Sequence, residues 1–180
     1  MKAVFLDRDG VLNEDRDDYV KNVAELEVFP YVPQAIRMLN EAGFEVIVIS
    51  NQQGVAKGLI SESDLEAIQS EITRQVCEGG GRIAAFYYCR HLSADGCACR
   101  KPKPGLLQLA AKENGIDLDQ TFMIGDSERD VLAGQCAGCR TVLVLSGMLT
   151  REDAERLPRQ PEHIADNLAA AVDYVIAHLY

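Results

Sequence analysis

Four short clusters in this 180-residue chain carry side chains that could do chemistry. Near the start, "FLDRDGVLN" sets Asp7 and Asp9 two residues apart at the end of an apolar run, with Gly10 behind them. A plain exit from a strand into a turn needs one Asp or Asn and a Gly, so the second acid calls for another explanation. "SNQQG" offers Ser50, Asn51, Gln52 and Gln53; "RKPKPG" offers Arg100 and Lys101; "GDSERD" offers Asp126, Ser127 and Asp130. Any one cluster is also what a loop exit or helix cap requires. Together they suit phosphoryl transfer. A carboxylate attacks phosphorus only when its repulsion from the anionic phosphate is offset, which a divalent cation and a lysine can do. Asp7 and Asp126, with a backbone carbonyl, are hard oxygen ligands of the kind Mg²⁺ takes. The other acid at the first strand tip, Asp9, suits proton transfer to a leaving oxygen and from water. Ser50, Asn51 and Lys101 are donors for phosphoryl oxygens.

A fifth cluster lies in "YCRHLSADGCACRKPKPG", where Cys89, His91, Cys97 and Cys99 fall within eleven residues. Three thiolates and an imidazole make a closed tetrahedral set suited to a structural Zn²⁺. The loop 89–99 is expected to be stiffened by that ion and to hold Arg100 and Lys101 in place. Cys136 and Cys139 form a "CAGC" pair that reads as packing at a helix end, and Cys77 closes an amphipathic helix and is expected in the core.

The elements that must position these groups alternate. Apolar segments 3–6, 44–50, 83–89, 121–126 and 141–147 read as strands. Helical patterns run from Val32 to Gly43, Ser61 to Cys77, Gly105 to Gly115, Ser127 to Gly138, Leu149 to Arg156 and Asn167 to Leu179, several opened by caps or closed by glycine. This order predicts an α/β fold: one Rossmann-like, three-layer α/β/α domain over residues 1–180 with a parallel sheet. Ligands of such sheets gather beyond the carboxyl ends of the strands, where all four clusters fall.

Composition limits the rest. With 47% hydrophobic and 26% charged residues the chain reads as an ordinary globular protein. A net charge of −10 argues against nucleic acid, which needs a basic stripe, so any phosphate site must supply its own cations. No apolar run approaches the roughly 20 residues of a membrane span and no signal-peptide layout opens the chain, so no membrane partner is expected. Six cysteines without such a signal point to a reducing, cytoplasmic setting, and the chain is expected to act as a monomer.

Asp-x-Asp-Gly, Ser-Asn, a lysine before a helix and Gly-Asp-x-x-x-Asp, in that order over about residues 3–147, resemble the haloacid dehalogenase superfamily of phosphatases. The resemblance implies an aspartyl-phosphate on Asp7, proton transfer by Asp9, and Mg²⁺ held by Asp7, the Asp9 carbonyl and Asp126, with Asp130 behind them. The zinc loop is similar to that of the branch containing the histidinol-phosphate and heptose-bisphosphate phosphatases, which lack a large cap domain; here too the intervals between motifs are too short for one. By the same resemblance Asp15 and Tyr19 are expected at the sugar, and Gln52, Gln53 and Ser127 are carried as further substrate contacts. A phosphorylated sugar, a heptose 1,7-bisphosphate losing its 7-phosphate, is favoured over histidinol phosphate. Its second phosphate would need a further cation, for which Arg100 is the first candidate, and Arg129 or Lys57 could add charge. A zinc-stabilised binding module with a degenerate site is the reading from another class.

Overall fold

The computed structural model describes residues 1–178. Six strands, β1 (Ala3–Leu6), β2 (Glu45–Asn51), β3 (Ala85–Cys89), β4 (Phe122–Gly125), β5 (Arg140–Val144) and β6 (His163–Ala165), form one sheet in the order β3-β2-β1-β4-β5-β6. Every pairing is parallel. Buried on both faces, β1 and β2 read as continuous apolar runs rather than alternating ones. The crossover order reverses between β1 and β4, so their carboxyl ends frame the crevice expected to take a ligand.

Helices α1 (Val32–Glu41), α2 (Glu62–Glu78), α3 (Gly105–Asn114), α4 (Glu128–Ala137), α5 (Arg151–Glu155) and α6 (Leu168–Ala177) cover the two faces. Val4, Leu6, Val46, Val48 and Ile124 pack with α1, α2 and α6, whereas Ala3, Phe5, Ile47, Ile49 and Met123 pack with α3 and Ala133 of α4. The period of two along each strand thus splits one apolar run between two cores. Among the described residues no inserted cap interrupts the α/β domain, and no described helix is long and apolar enough to cross a membrane.

Several expectations change. β6 was not foreseen: three residues pairing with β5 are too short to show a period. β5 ends at Val144, three residues before the expected end, and β2 runs on to Asn51. Cys77 is exposed rather than in the core. The buried face of α2 runs through Leu65, Ile68, Ile72 and Val76, and the next residue turns away by about 100°. Leu179, at the expected end of the last helix, lies outside the described residues.

At the start of α6 the Asn167 side chain accepts from the Ala170 amide at 3.1 Å. Asn167→Ala is expected to lower stability by about 1 kcal/mol, read as a shift of the urea midpoint at constant slope, while Asn167→Ser keeps most of it.

Candidate active site

Four strand-end segments meet around a cavity of about 440 Å³. At the end of β1 the chain turns tightly, and Gly10 takes φ 77°, which an L side chain rarely adopts. A Cβ on Gly10 would stand 2.2 Å from Asp126 Oδ2, and one on Gly147 would stand 1.9 Å from the same atom. Two glycines, one after β1 and one after β5, thus enclose the Asp126 carboxylate. Nothing local in the sequence marked Gly147.

On the cavity floor Asp7, Asp126 and Asp130 bring carboxylate oxygens within 4.8 Å of one another. Lys101, 1% exposed, reaches into this group and pairs with Asp7 Oδ2 at 2.9 Å and Asp130 Oδ1 at 2.6 Å. It also donates to the Ile49 carbonyl at 2.8 Å. One ammonium does not balance three carboxylates. Burial, then repulsion by Asp7 and Asp130, pushes the Asp126 carboxyl up to about 8, against the opposing pull of Lys101. Asp7 rises to about 6 by burial, with Lys101 opposing. Burial also raises Asp130, but Lys101 and Ser127 outweigh it and hold that group below the ordinary range. A small divalent cation among these oxygens would relieve the repulsion, and the donor set is the hard one that Mg²⁺ takes. Asp130 is tied to Lys101 and to the Ser127 amide and hydroxyl at 3.1 and 2.6 Å, which suits support from behind.

Asp9 has different neighbours. Its Oδ1 accepts from Arg8 Nη2 at 2.8 Å, Arg8 Nε at 3.1 Å and Asn13 at 2.9 Å, and its Oδ2 accepts from Gln52 at 2.9 Å. Burial pushes this carboxyl up, but Arg8, Asn13 and Gln52 outweigh burial and hold it below its usual value. Arg8 is itself wholly buried. The sequence analysis gave Arg8 no role; its guanidinium fork grips Asp9.

The segment after β2 divides its work. Ser50 accepts from Gln52 at 3.0 Å, which leaves its O–H to donate into the cavity. Asn51 donates to the Lys101 carbonyl at 3.0 Å and accepts from the Lys101 amide at 3.1 Å, so it pins that residue and keeps one N–H for a ligand. Gln52 does not line the cavity as expected; buried, it braces Asp9 and Ser50 from behind. Gln53 does line it, holding Arg100 at 3.2 Å and Tyr19 at 3.0 Å. Asp15, Tyr19, Arg100 and Ser127 face the same space, joined by Arg16, Asp17, Arg129, Met148 and Leu149, none of which had been given a place there except as possible charge at Arg129. Tyr19 has φ 66°, an uncommon conformation for a non-glycine residue, and its hydroxyl accepts from Lys57 at 2.7 Å.

Beyond Arg100, the Cys89, Cys97 and Cys99 sulfurs lie 3.3–3.7 Å apart. His91 Nδ1 lies 3.7 Å from Cys89 Sγ and 3.2 Å from Cys99 Sγ. These lengths are close to the edges of a tetrahedron whose sulfurs stand about 2.3 Å from its centre. All three cysteines are free thiols. Burial and the neighbouring sulfurs push the Cys99 thiol up to about 12, a penalty that a bound Zn²⁺ would remove.

A HAD-hydrolase-like family model matches residues 98–171. The chain is similar to the D-glycero-beta-D-manno-heptose-1,7-bisphosphate 7-phosphatase of Pseudomonas aeruginosa, 39% identical over 96% of this chain and 97% of that one. Among solved structures it is similar to the D,D-heptose 1,7-bisphosphate phosphatase of B. bronchiseptica complexed with magnesium and phosphate, with TM-score 0.92 and 37% identity over 98% of this chain and 99% of that one. The heptose-bisphosphate phosphatase of Burkholderia thailandensis matches with TM-score 0.73 and 30% identity, over 97% and 99%.

Without metal, the folded chain keeps protons on Asp126 and Asp7 that the unfolded chain releases near 3.8. These two groups therefore make it less stable as pH rises from about 4 to about 8. A cation needs them ionised, so at fixed Mg²⁺ the rise in Tm on adding the ion is expected to be larger at pH 8 than at pH 6. Thermal scans with and without Mg²⁺ at both pH values check this; an equal or smaller rise at pH 8 contradicts it.

Proposed function

This chain belongs to the haloacid dehalogenase-like phosphatases, and we propose that it removes the 7-phosphate of D-glycero-D-manno-heptose 1,7-bisphosphate with Asp7 as nucleophile. The observation that carries the mechanism is the fixing of Asp7. Its Oδ1 accepts from the Arg8 amide at 2.7 Å while Oδ2 rests on Lys101, so one carboxylate is oriented and partly neutralised at the cavity floor. Similarity to heptose-1,7-bisphosphate phosphatases over nearly the whole chain supports the substrate.

In the first step an Asp7 oxygen bonds to phosphorus and the bond from phosphorus to the sugar oxygen breaks, leaving an aspartyl-phosphate. Asp9 gives the departing oxygen a proton. Asp9 rests ionised beside Arg8, and the arriving phosphate dianion favours its taking up that proton from solvent before the bond breaks. In the second step Asp9 removes a proton from water, the water oxygen bonds to phosphorus, and Asp7 is released. Ser50 and the spare Asn51 N–H donate to the other phosphoryl oxygens, and the charge of the Lys101 ammonium beside Asp7 offsets theirs. Asp7, the Asp9 carbonyl and Asp126 would hold Mg²⁺, whose charge offsets the repulsion between carboxylate and phosphate. Cys89, His91, Cys97 and Cys99 would hold Zn²⁺ in a purely structural role, four ligands leaving no position for a reacting water.

Asp7→Asn is expected to keep the fold and lower kcat by about 100-fold or more; a smaller loss contradicts covalent catalysis. A panel of the heptose bisphosphate, histidinol phosphate and an aryl phosphate, ranked by kcat/KM, tests the substrate. Preference for histidinol phosphate would replace the reading. The absence of Mg²⁺-dependent turnover on every member would leave a binding module.

For zinc, elemental analysis of protein purified without added metal is expected to find about one Zn²⁺ per chain. Cys97→Ser should lose the ion and, with Arg100 and Lys101 no longer held, lower kcat/KM. Full activity in the zinc-free variant would break the link between loop and site.

A further inference from the structure

The carboxylates of the site are not all held alike. Asp7 accepts from the Arg8 amide and pairs with Lys101, and Asp130 accepts from Ser127 and pairs with the same lysine. Asp9 accepts from Arg8, Asn13 and Gln52. Asp126 is buried like the others, yet among the described residues it accepts no hydrogen bond. Its direction is therefore set by what encloses it. A Cβ on Gly10 or on Gly147 would stand 2.2 or 1.9 Å from its Oδ2, so two glycine backbones close on that oxygen.

One side chain joins the two glycine loops. Ser146 Oγ donates to the Gly10 carbonyl at 2.7 Å, and the same hydroxyl is a hydrogen-bonding neighbour of the Tyr31 phenol. The Leu145 amide still bonds to the Ala165 carbonyl, and Thr150 caps α5, but segment 146–149 between them makes no backbone hydrogen bond among the described residues. Ser146 thus carries the polar ties of that segment to the rest of the chain. Gly10 follows the Asp9 carbonyl and Gly147 lies against Asp126, so one hydroxyl connects the loops of two of the three groups that would hold Mg²⁺. We propose that Ser146 is a positioning residue of the cation site: its bond to Gly10 keeps both glycine loops closed on Asp126 and so aims that carboxylate at the ion. A carboxylate without donors of its own must otherwise be ordered when a cation that demands near-octahedral placement arrives. Ordering it in advance removes that cost from binding. The inference rests on the Mg²⁺ reading of the site.

The test is binding of Mg²⁺ alone, by isothermal titration of the ion into the protein as purified at pH 8. Ser146→Ala is expected to raise the Mg²⁺ Kd about 3-fold or more, the scale of one lost neutral hydrogen bond. Ser146→Thr, which keeps the hydroxyl, should stay near wild type. Ser146 is half-buried on a loop, so both variants are expected to fold. Gly147→Ala, whose Cβ would press on Asp126, should weaken binding further. A serine that merely stabilised the fold would lower the metal-free Tm and leave the Kd where it was. A smaller change in the Kd of Ser146→Ala, or equal weakening in Ser146→Ala and Ser146→Thr, therefore overturns the role of the hydroxyl and leaves the Mg²⁺ reading standing. Gly147→Ala binding Mg²⁺ as tightly as wild type overturns the enclosure through which Ser146 would act. A wild type that binds no Mg²⁺ removes the metal reading and this role with it.

Discussion

The buried ammonium of Lys101 is the constraint around which the site is built. Two carboxylates lie within ion-pair distance of it, and a third, Asp126, completes the cluster. Carboxylates this close and this buried cannot all ionise without opposing charge. A lysine this buried would in turn be costly without its two acids. The segments that carry these groups are far apart in the chain, so a correctly assembled tertiary structure is a condition of the charge balance. Lys101 is in turn placed by others: Asn51 clamps its peptide unit and the Ile49 carbonyl accepts from its Nζ. The Cys/His cluster ends at Cys99, two residues before it. A metal on that cluster would therefore act on the chemistry through the backbone, at a distance from the reacting phosphate.

The same economy of position separates the two acids of the first strand. Asp7 faces the carboxylate cluster and is raised to about 6, by burial before all else. Asp9, two residues on, faces Arg8, Asn13 and Gln52, which hold it ionised despite burial. On their own these environments favour a proton on Asp7 over Asp9, the reverse of the roles proposed for the two acids, and a divalent cation on Asp7 would restore the order. None of the three groups that hold Asp9 lines the cavity, so its charge is fixed from behind the site.

Charge is distributed with similar economy. An acidic body keeps anions away in general, and cations are placed where a phosphate is wanted: one at the floor, others free of acids along the wall beside the Cys/His loop. Local fields of this kind, rather than net charge, decide what a cleft admits.

How much of this was legible in the chain depends on the range of each interaction. The alternation of apolar strands and amphipathic helices, the Ser61 and Asn167 caps, the acids at two strand ends and the four-ligand loop are carried by neighbours within a few residues, and the sequence alone determined them. The period of 3.6 also contained the exposure of Cys77, one position past the buried face, and there the reading rather than the sequence was at fault. Other features belong only to the tertiary structure. Gln52 lies behind Asp9 and Ser50, Asn51 grips Lys101 across 50 positions, and Gly147 encloses a carboxylate from beyond the end of β5. Three-residue β6 is a strand only because β5 is there to pair with it. Such contacts depend on sheet order and strand register, which bring distant segments side by side. No local period in the chain encodes which side chain will then stand opposite which.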